Sequence, residues 1–318
     1  MTRSAVVLVL TICVAGSVTA ATNQQPTQKD AAATFRAGVE VVTISATVRD
    51  QRGRVIKDLK RADFEVLDAG TGREIKDFHA GDAAISVSLL LDVSGSMAVG
   101  GNMERARAAV SLAVGQLTSG RDEAALFTFD SELQIVRGFT SDLQRIASVS
   151  LKGQPWGTTS LYDAIAETAR IVAERTNRHR AVLVITDGTD TGSRLTAPEV
   201  SGLASSIDVP VYLLVVANPL DNPGHDLRAL NETGAPHDTA TLADLARWTG
   251  GDMSVVSGHE DSVAALRTLI GELRHQYLIT FEPGIAPGWH PLEVRTRKKN
   301  LVVHARSGYI AGPGRSGS

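Results

Sequence analysis

ISVSLLLDVSGSM runs from Ile85 to Met97. Its first seven residues are nearly continuously apolar, the pattern of a short strand buried on both faces of a parallel sheet. The run then stops at one carboxylate, Asp92. Two hydroxyls follow, Ser94 and Ser96, alternating with Val93 and Gly95. No charged partner lies nearby in the sequence, so the end of this strand presents an acid and two alcohols in a row.

Downstream to His275, strand and helix patterns alternate. Ala106, Ala109, Val110, Ala113, Val114 and Leu117 recur at helical spacing and predict a helix over Met103 to Leu117. EAALFTF, RAVLVITD, VPVYLLVV and DMSVV read as strands. SLYDAIAETARIVAERT reads as a helix opened by an S-x-x-D capping box, Ser160 with Asp163. TLADLARWTGG reads as a helix closed by glycines, and DSVAALRTLIGELRH as a further helix. This alternation predicts an α/β fold with a doubly wound, mostly parallel sheet.

On both flanks the period is two. Val42, Ile44, Ala46 and Val48 share one face of a half-buried strand, and Phe64 and Val66 alternate beyond a DQRGR turn. After His275, Tyr277, Ile279 and Phe281 alternate, then Leu292 and Val294, then Leu301, Val303 and Ala305. Neither flank is long enough to bury a core alone. The expectation is therefore a flanking antiparallel β-sandwich formed by the N- and C-terminal segments, 37–82 and 276–311, with the α/β domain, 83–275, inserted between them.

The chain has 318 residues, 43% hydrophobic and 21% charged, with a net charge of -3. That balance gives no reason to expect nucleic acid or an anionic membrane as partner. Residues 1–20 read as a secretory signal: Arg3, an apolar run over Ala5 to Cys13, and a small-residue cleavage site at Val18-Thr19-Ala20. An uncleaved anchor is the disfavoured rival, because the run is short of the ~20 residues a span needs. The mature chain then starts at Ala21, has no membrane span and is exported, periplasmic or secreted. Its one cysteine, Cys13, leaves with the signal. Without disulfides, such a chain depends on its core and on any metal it holds. Residues 21–36 read as a flexible leader and 312–318 as a disordered tail.

In an open α/β sheet, ligands bind beyond the carboxyl ends of the strands. Three groups fall there: Asp92 with Ser94 and Ser96, Thr159 in GTTS, and Asp187 at the end of RAVLVITD. Together they offer two carboxylates and three hydroxyls. The absence of histidine and thiolate disfavours zinc and copper, while an all-oxygen, partly hydrated site suits Mg²⁺ or Mn²⁺. Two carboxylates balance a +2 ion and leave positions that water or an outside carboxylate can take.

DVSGSM (Asp92 to Met97), Thr159 in GTTSLYDA and Asp187 in ITDG resemble the metal-ion-dependent adhesion site of von Willebrand factor type A domains. The family pattern is D-x-S-x-S, then Thr, then Asp, and all five positions match. The flanks resemble the "VWFA-related" family of secreted bacterial proteins. The resemblance implies a metal site of Asp92, Ser94, Ser96, Thr159 and Asp187. The hydroxyls would ligate directly, and Asp187 directly or through one water. The ion implied is Mg²⁺, with Mn²⁺ or Ca²⁺ in its place. The function implied is a non-enzymatic adhesion or protein-binding module whose partner presents an Asp or Glu to the metal. The alternatives are a structural subunit of an envelope assembly and, less favoured, a metal-assisted hydrolase. The stretch from Ala217 to Thr241 is longer than a typical connection and leaves the type of ligand open.

Other motifs read as ordinary surface. Asp92 alone would read as a helix cap or turn residue, and Thr158 as a loop neighbour of Thr159. Asp190 fits a solvated loop acid better than a support for the site. His225 and His237 read as solvated, and His259 lacks the second histidine of a zinc protease helix. RTRKKN, from Arg295 to Asn300, reads as a solvated turn. No G-x-S-x-G elbow or phosphate loop is present.

Overall fold

The computed structural model of the chain describes residues 41–216 and 241–311. The expected signal, leader and tail lie outside them, as does the 217–241 connection apart from Thr241. The first flank supplies β1 (Val42–Asp50), β2 (Phe64–Asp68), β3 (Thr71–Arg73) and β4 (Ile75–His79). The middle runs β5 (Ile85–Asp92), α1 (Asn102–Gly115), β6 (Glu123–Phe129), β7 (Leu133–Thr140), α2 (Gln144–Ala147), α3 (Leu161–Ala173), β8 (His179–Thr186), α4 (Ala197–Ser206), β9 (Val211–Val216), α5 (Leu242–Trp248), β10 (Met253–Val256) and α6 (His259–Arg274). The second flank supplies β11 (Tyr277–Phe281), β12 (Gly288–Thr296), β13 (Leu301–Ala305) and β14 (Gly308–Ala311).

β5 is central in a six-stranded sheet of order β10-β9-β8-β5-β6-β7. Every neighbour pair is parallel except β6 with β7. All eight β5 residues are buried, as the apolar run requires. Ile85, Val87, Leu89 and Leu91 pack in one cluster with α1 and α6. Leu90 joins the opposite cluster with α3, α4 and α5. Helices therefore cover both faces, which is the doubly wound arrangement.

The flanks pair with each other twice. One sheet has the order β13-β1-β11-β4 and the other β14-β12-β2-β3, so each mixes strands from both ends of the chain. Ile44, Val48, Phe64, Val66, Tyr277, Ile279 and Phe281 fill the layer between them. All the pairings in these two sheets are antiparallel. Arg49 of β1 forks onto the buried Glu272 of α6 and also reaches Asp252, tying the sandwich to the α/β layers.

Three local features differ from the sequence reading. The Ser160–Asp163 capping box does not form: Ser160 makes no side-chain cap bond. Asp190 and Ser193, from the loop after β8, accept from Leu161 N and Tyr162 N instead, both at 2.9 Å. Asp163 turns to Leu195 N at 2.9 Å. A tertiary contact has displaced a local one. β7 has no counterpart in the sequence reading, because it is an edge strand with irregular register and an exposed Ile135. α4 is also additional; Glu199, three residues after Thr196, returns to Thr196 N at 2.8 Å. The glycines after α5 are required by space: a Cβ on Gly251 would lie 2.0 Å from Val211 O.

Candidate metal centre

The strand order reverses between β5 and β8. From β5 the chain moves outward through β6 and β7, then returns to place β8 on the other side. The crevice of an open α/β sheet lies at such a switch point. Leu91 pairs with Ile185, so the next residues, Asp92 and Thr186, end their strands side by side.

Asp92 and Ser94 are fully buried, Thr159 is 2% exposed and Asp187 is 3% exposed. Ser96 is half-buried and Thr158 is exposed. Asp92 Oδ1 accepts from Ser94 N at 2.9 Å, and Oδ2 accepts from Thr186 Oγ1 at 2.6 Å. Thr186 Oγ1 in turn accepts from Gly188 N at 3.0 Å. Ser94 Oγ and Ser96 Oγ are 3.1 Å apart. Asp187 Oδ1 accepts from Thr189 N at 3.0 Å. Gly95 is explained by close approach, because its N–H donates to Gly157 O at 3.1 Å and a Cβ there would stand 3.2 Å from that oxygen.

Thr159 is held on the same edge by backbone. Its carbonyl accepts from Thr191 N and Gly192 N, both at 2.9 Å, and its N–H donates to Thr191 Oγ1 at 3.0 Å. Hydrogen bonds link Asp92 to Ser94 and Ser94 to Ser96, Asp187 acts on Asp92 by its charge, and Thr159 is tied to the loop after β8. Asp190 is not the solvated acid of the sequence reading. Its carboxylate caps α3, the helix that follows Thr159. Thr186, Thr191 and Ser193 were missed as supports. Thr186 was the most legible of them, being the polar residue directly before Asp187 in a buried strand.

Burial pushes the Asp92 carboxyl up to about 6. Hydrogen bonds from Ser94 and Thr186 oppose the rise, and the charge of Asp187 adds to it. The groups bonded to both carboxylates are hydroxyls and backbone N–H. Among the described residues no three His, Cys, Asp or Glu side chains cluster for a metal. A site here would rest on two acids plus hydroxyls. That donor set fits a hard divalent ion such as Mg²⁺ or Mn²⁺, for which oxygen ligands and retained waters are the rule.

A family model for the von Willebrand factor type A domain matches residues 87–189, a span that includes all five residues. The protein carries a von Willebrand factor type A domain. No curated protein matches the chain. Similar solved structures include the conserved hypothetical protein BatB from Bacteroides thetaiotaomicron, 21% identical over 60% of this chain and 98% of that one, with a TM-score of 0.45. A von Willebrand factor type A protein from Catenulispora acidiphila is 12% identical over 78% of this chain and 73% of its own, at a TM-score of 0.44. The manganese-loaded TRAP protein from Plasmodium vivax is 14% identical over 74% of this chain and 99% of its own, at a TM-score of 0.42. The von Willebrand factor type A domain accounts for the mostly parallel sheet, and the antiparallel sheets flank it.

Proposed function

We propose that the protein is an exported, non-enzymatic binding module of the "VWFA-related" kind, which captures an acidic residue of a protein partner through a divalent ion. The observation that carries this reading is the fully buried Asp92, bonded to hydroxyls and backbone at the switch point, with a second acid, Asp187, as its charged neighbour. In this reading 83–275 is the binding domain, 37–82 and 276–311 form its supporting sandwich, and 1–20 direct export.

Asp92 and Asp187 supply two negative charges and Ser94, Ser96 and Thr159 supply neutral oxygens. When bound, Mg²⁺ or a similar ion provides an electrophilic centre for a partner's carboxylate. The protein's own part is to hold these donors rigid and to leave a ligand position for the partner. Thr186 and Ser94 N–H orient Asp92, and Asp190 with Thr191 fixes the loop that carries Thr159.

Thermal unfolding of the chain from Ala21 onward, in EDTA and in millimolar Mg²⁺ or Mn²⁺, tests the site. Wild type should gain several degrees with metal, and Asp92→Ala should gain none. Equal behaviour of the two proteins would remove the metal from this account.

A further inference from the structure

Arg180 and Asp187 stand at opposite ends of β8, roughly 20 Å apart at ~3.3 Å per residue. At the Arg180 end a cleft of about 460 Å³ lies between the α/β layers and the sandwich. Its polar wall includes Arg178, Arg180, Arg306, Asn177 and Asp208. Its apolar wall includes Val41, Ile207, Leu278 and Ile310.

Among the described residues the charges in this cleft do not balance: three arginines face one acid. Asp208 is already engaged, accepting from Ser45 N at 3.3 Å and from Ser45 Oγ at 3.0 Å. Arg306, only 4% exposed, stands 3.5 Å from Asp208 through Nε. Its other nitrogens donate to the carbonyls of Ser205 and Thr43. Arg180 is bonded to neutral groups, the carbonyls of Ala173, Arg175 and Ile207. Its Nε is buried without a hydrogen-bond partner. Burial holds Arg180 below the usual guanidinium range; Asp208 pulls it partly back and Arg306 pushes it down again. Arg178 is exposed beside them.

A partly buried guanidinium facing another guanidinium is costly unless an anion compensates it. The guanidinium fork matches phosphate and carboxylate oxygens better than any other side chain does. We propose that this cleft binds a small organic anion, with its phosphate or carboxylate head against Arg178 and Arg180 and an apolar body along Val41, Ile207 and Ile310. The site is separate from the Asp92 edge and does not depend on the metal reading.

Isothermal titration calorimetry of the purified protein with inorganic phosphate, n-octyl phosphate and octanoate tests it, with both amphiphiles kept below micelle formation. One saturable site is expected, at least tenfold tighter for an octyl compound than for inorganic phosphate. The stronger of the two octyl compounds identifies the head group. Arg180→Gln should weaken that binding more than tenfold. Arg178→Ala, a change at an exposed side chain that leaves the core intact, should weaken it at least threefold. Neither variant should alter the response to Mn²⁺. The proposal is overturned if neither octyl compound saturates a site, if inorganic phosphate binds as tightly as both, or if Arg178→Ala binds like wild type.

Discussion

Asp68 and Asp92 are both fully buried, one in the sandwich and one at the edge of the parallel sheet. Burial pushes both carboxyls upward, yet they end on opposite sides of the ordinary range. Asp68 faces His290 Nδ1 at 2.7 Å, Arg73 Nε at 3.1 Å and Gly284 N at 2.7 Å. His290, then Gly284 N and the Tyr309 hydroxyl, hold it low against burial. Asp92 has Ser94 and Thr186 as its bonded partners and rises to about 6. The sandwich acid carries its own counter-charges; the edge acid does not. A buried carboxylate neutralised within the fold is part of the scaffold, whereas one left with hydroxyls and a like charge is the one the proposed cation would neutralise.

The largest effect should come from breaking the neutralised case. Asp68→Ala strands His290 and Arg73 and frees Gly284 N, so it should cost about 3 kcal/mol or more in urea unfolding. A cost below 1 kcal/mol would mean that the sandwich does not depend on this pair. Next is the cation at the edge. Mn²⁺ at about 100 times its Kd should add ~2.7 kcal/mol to wild type, and almost nothing to Asp92→Ala. A gain in Asp68→Ala equal to that of wild type would show that the two regions respond independently.

This contrast explains what could be read in advance. β5, the helices α1, α3, α5 and α6 and the pairing of the two flanks were legible because burial imposes periods of two and 3.6 on apolar residues. The five candidate residues were nominated by their order in the sequence: Asp92 ends β5, Asp187 follows β8, and Ser94, Ser96 and Thr159 lie in the adjoining loops. What supports them was not. Asp190 caps α3 across 29 residues of sequence, displacing the local Ser160–Asp163 pair. Asp68 meets His290 across 222 residues. Neither partnership leaves a periodic trace, because each depends on which distant segments the fold sets side by side.

A smaller effect separates burial from metal binding. In EDTA, ionised Asp92 should itself cost stability, since its folded value of about 6 lies above the ordinary 3.8. The cost is absent below pH 3.8, grows through the interval up to about 6, and is complete above it. At roughly 1.4 kcal/mol per unit, Asp92→Asn should be more stable than metal-free wild type by about 3 kcal/mol at pH 8. Mn²⁺ should reverse that order. If Asp92→Asn were less stable than wild type in EDTA at pH 8, the carboxylate would be favourable as it stands, and the contrast with Asp68 would fail.

The finest test lies in His290. Both ring nitrogens face acceptors, Ala286 O at 2.6 Å and Asp68 Oδ1 at 2.7 Å, so the doubly protonated form satisfies both. The Ala286 carbonyl, then Asp68, raise its folded pKa above the ordinary 6.5. A raised histidine contributes stability that is complete below pH 6.5 and is lost as pH rises through the folded value. Metal-free wild type should therefore weaken between weakly acidic and weakly alkaline pH. Most of the Asp92 cost is already in place by about pH 6, so it contributes little to that loss. Urea unfolding in EDTA from pH 6 to 8.5 separates the two: Asp92→Asn should retain the slope and His290→Gln should flatten it. A slope that survives in His290→Gln would place the titrating group elsewhere and leave Asp68 neutralised chiefly by Arg73.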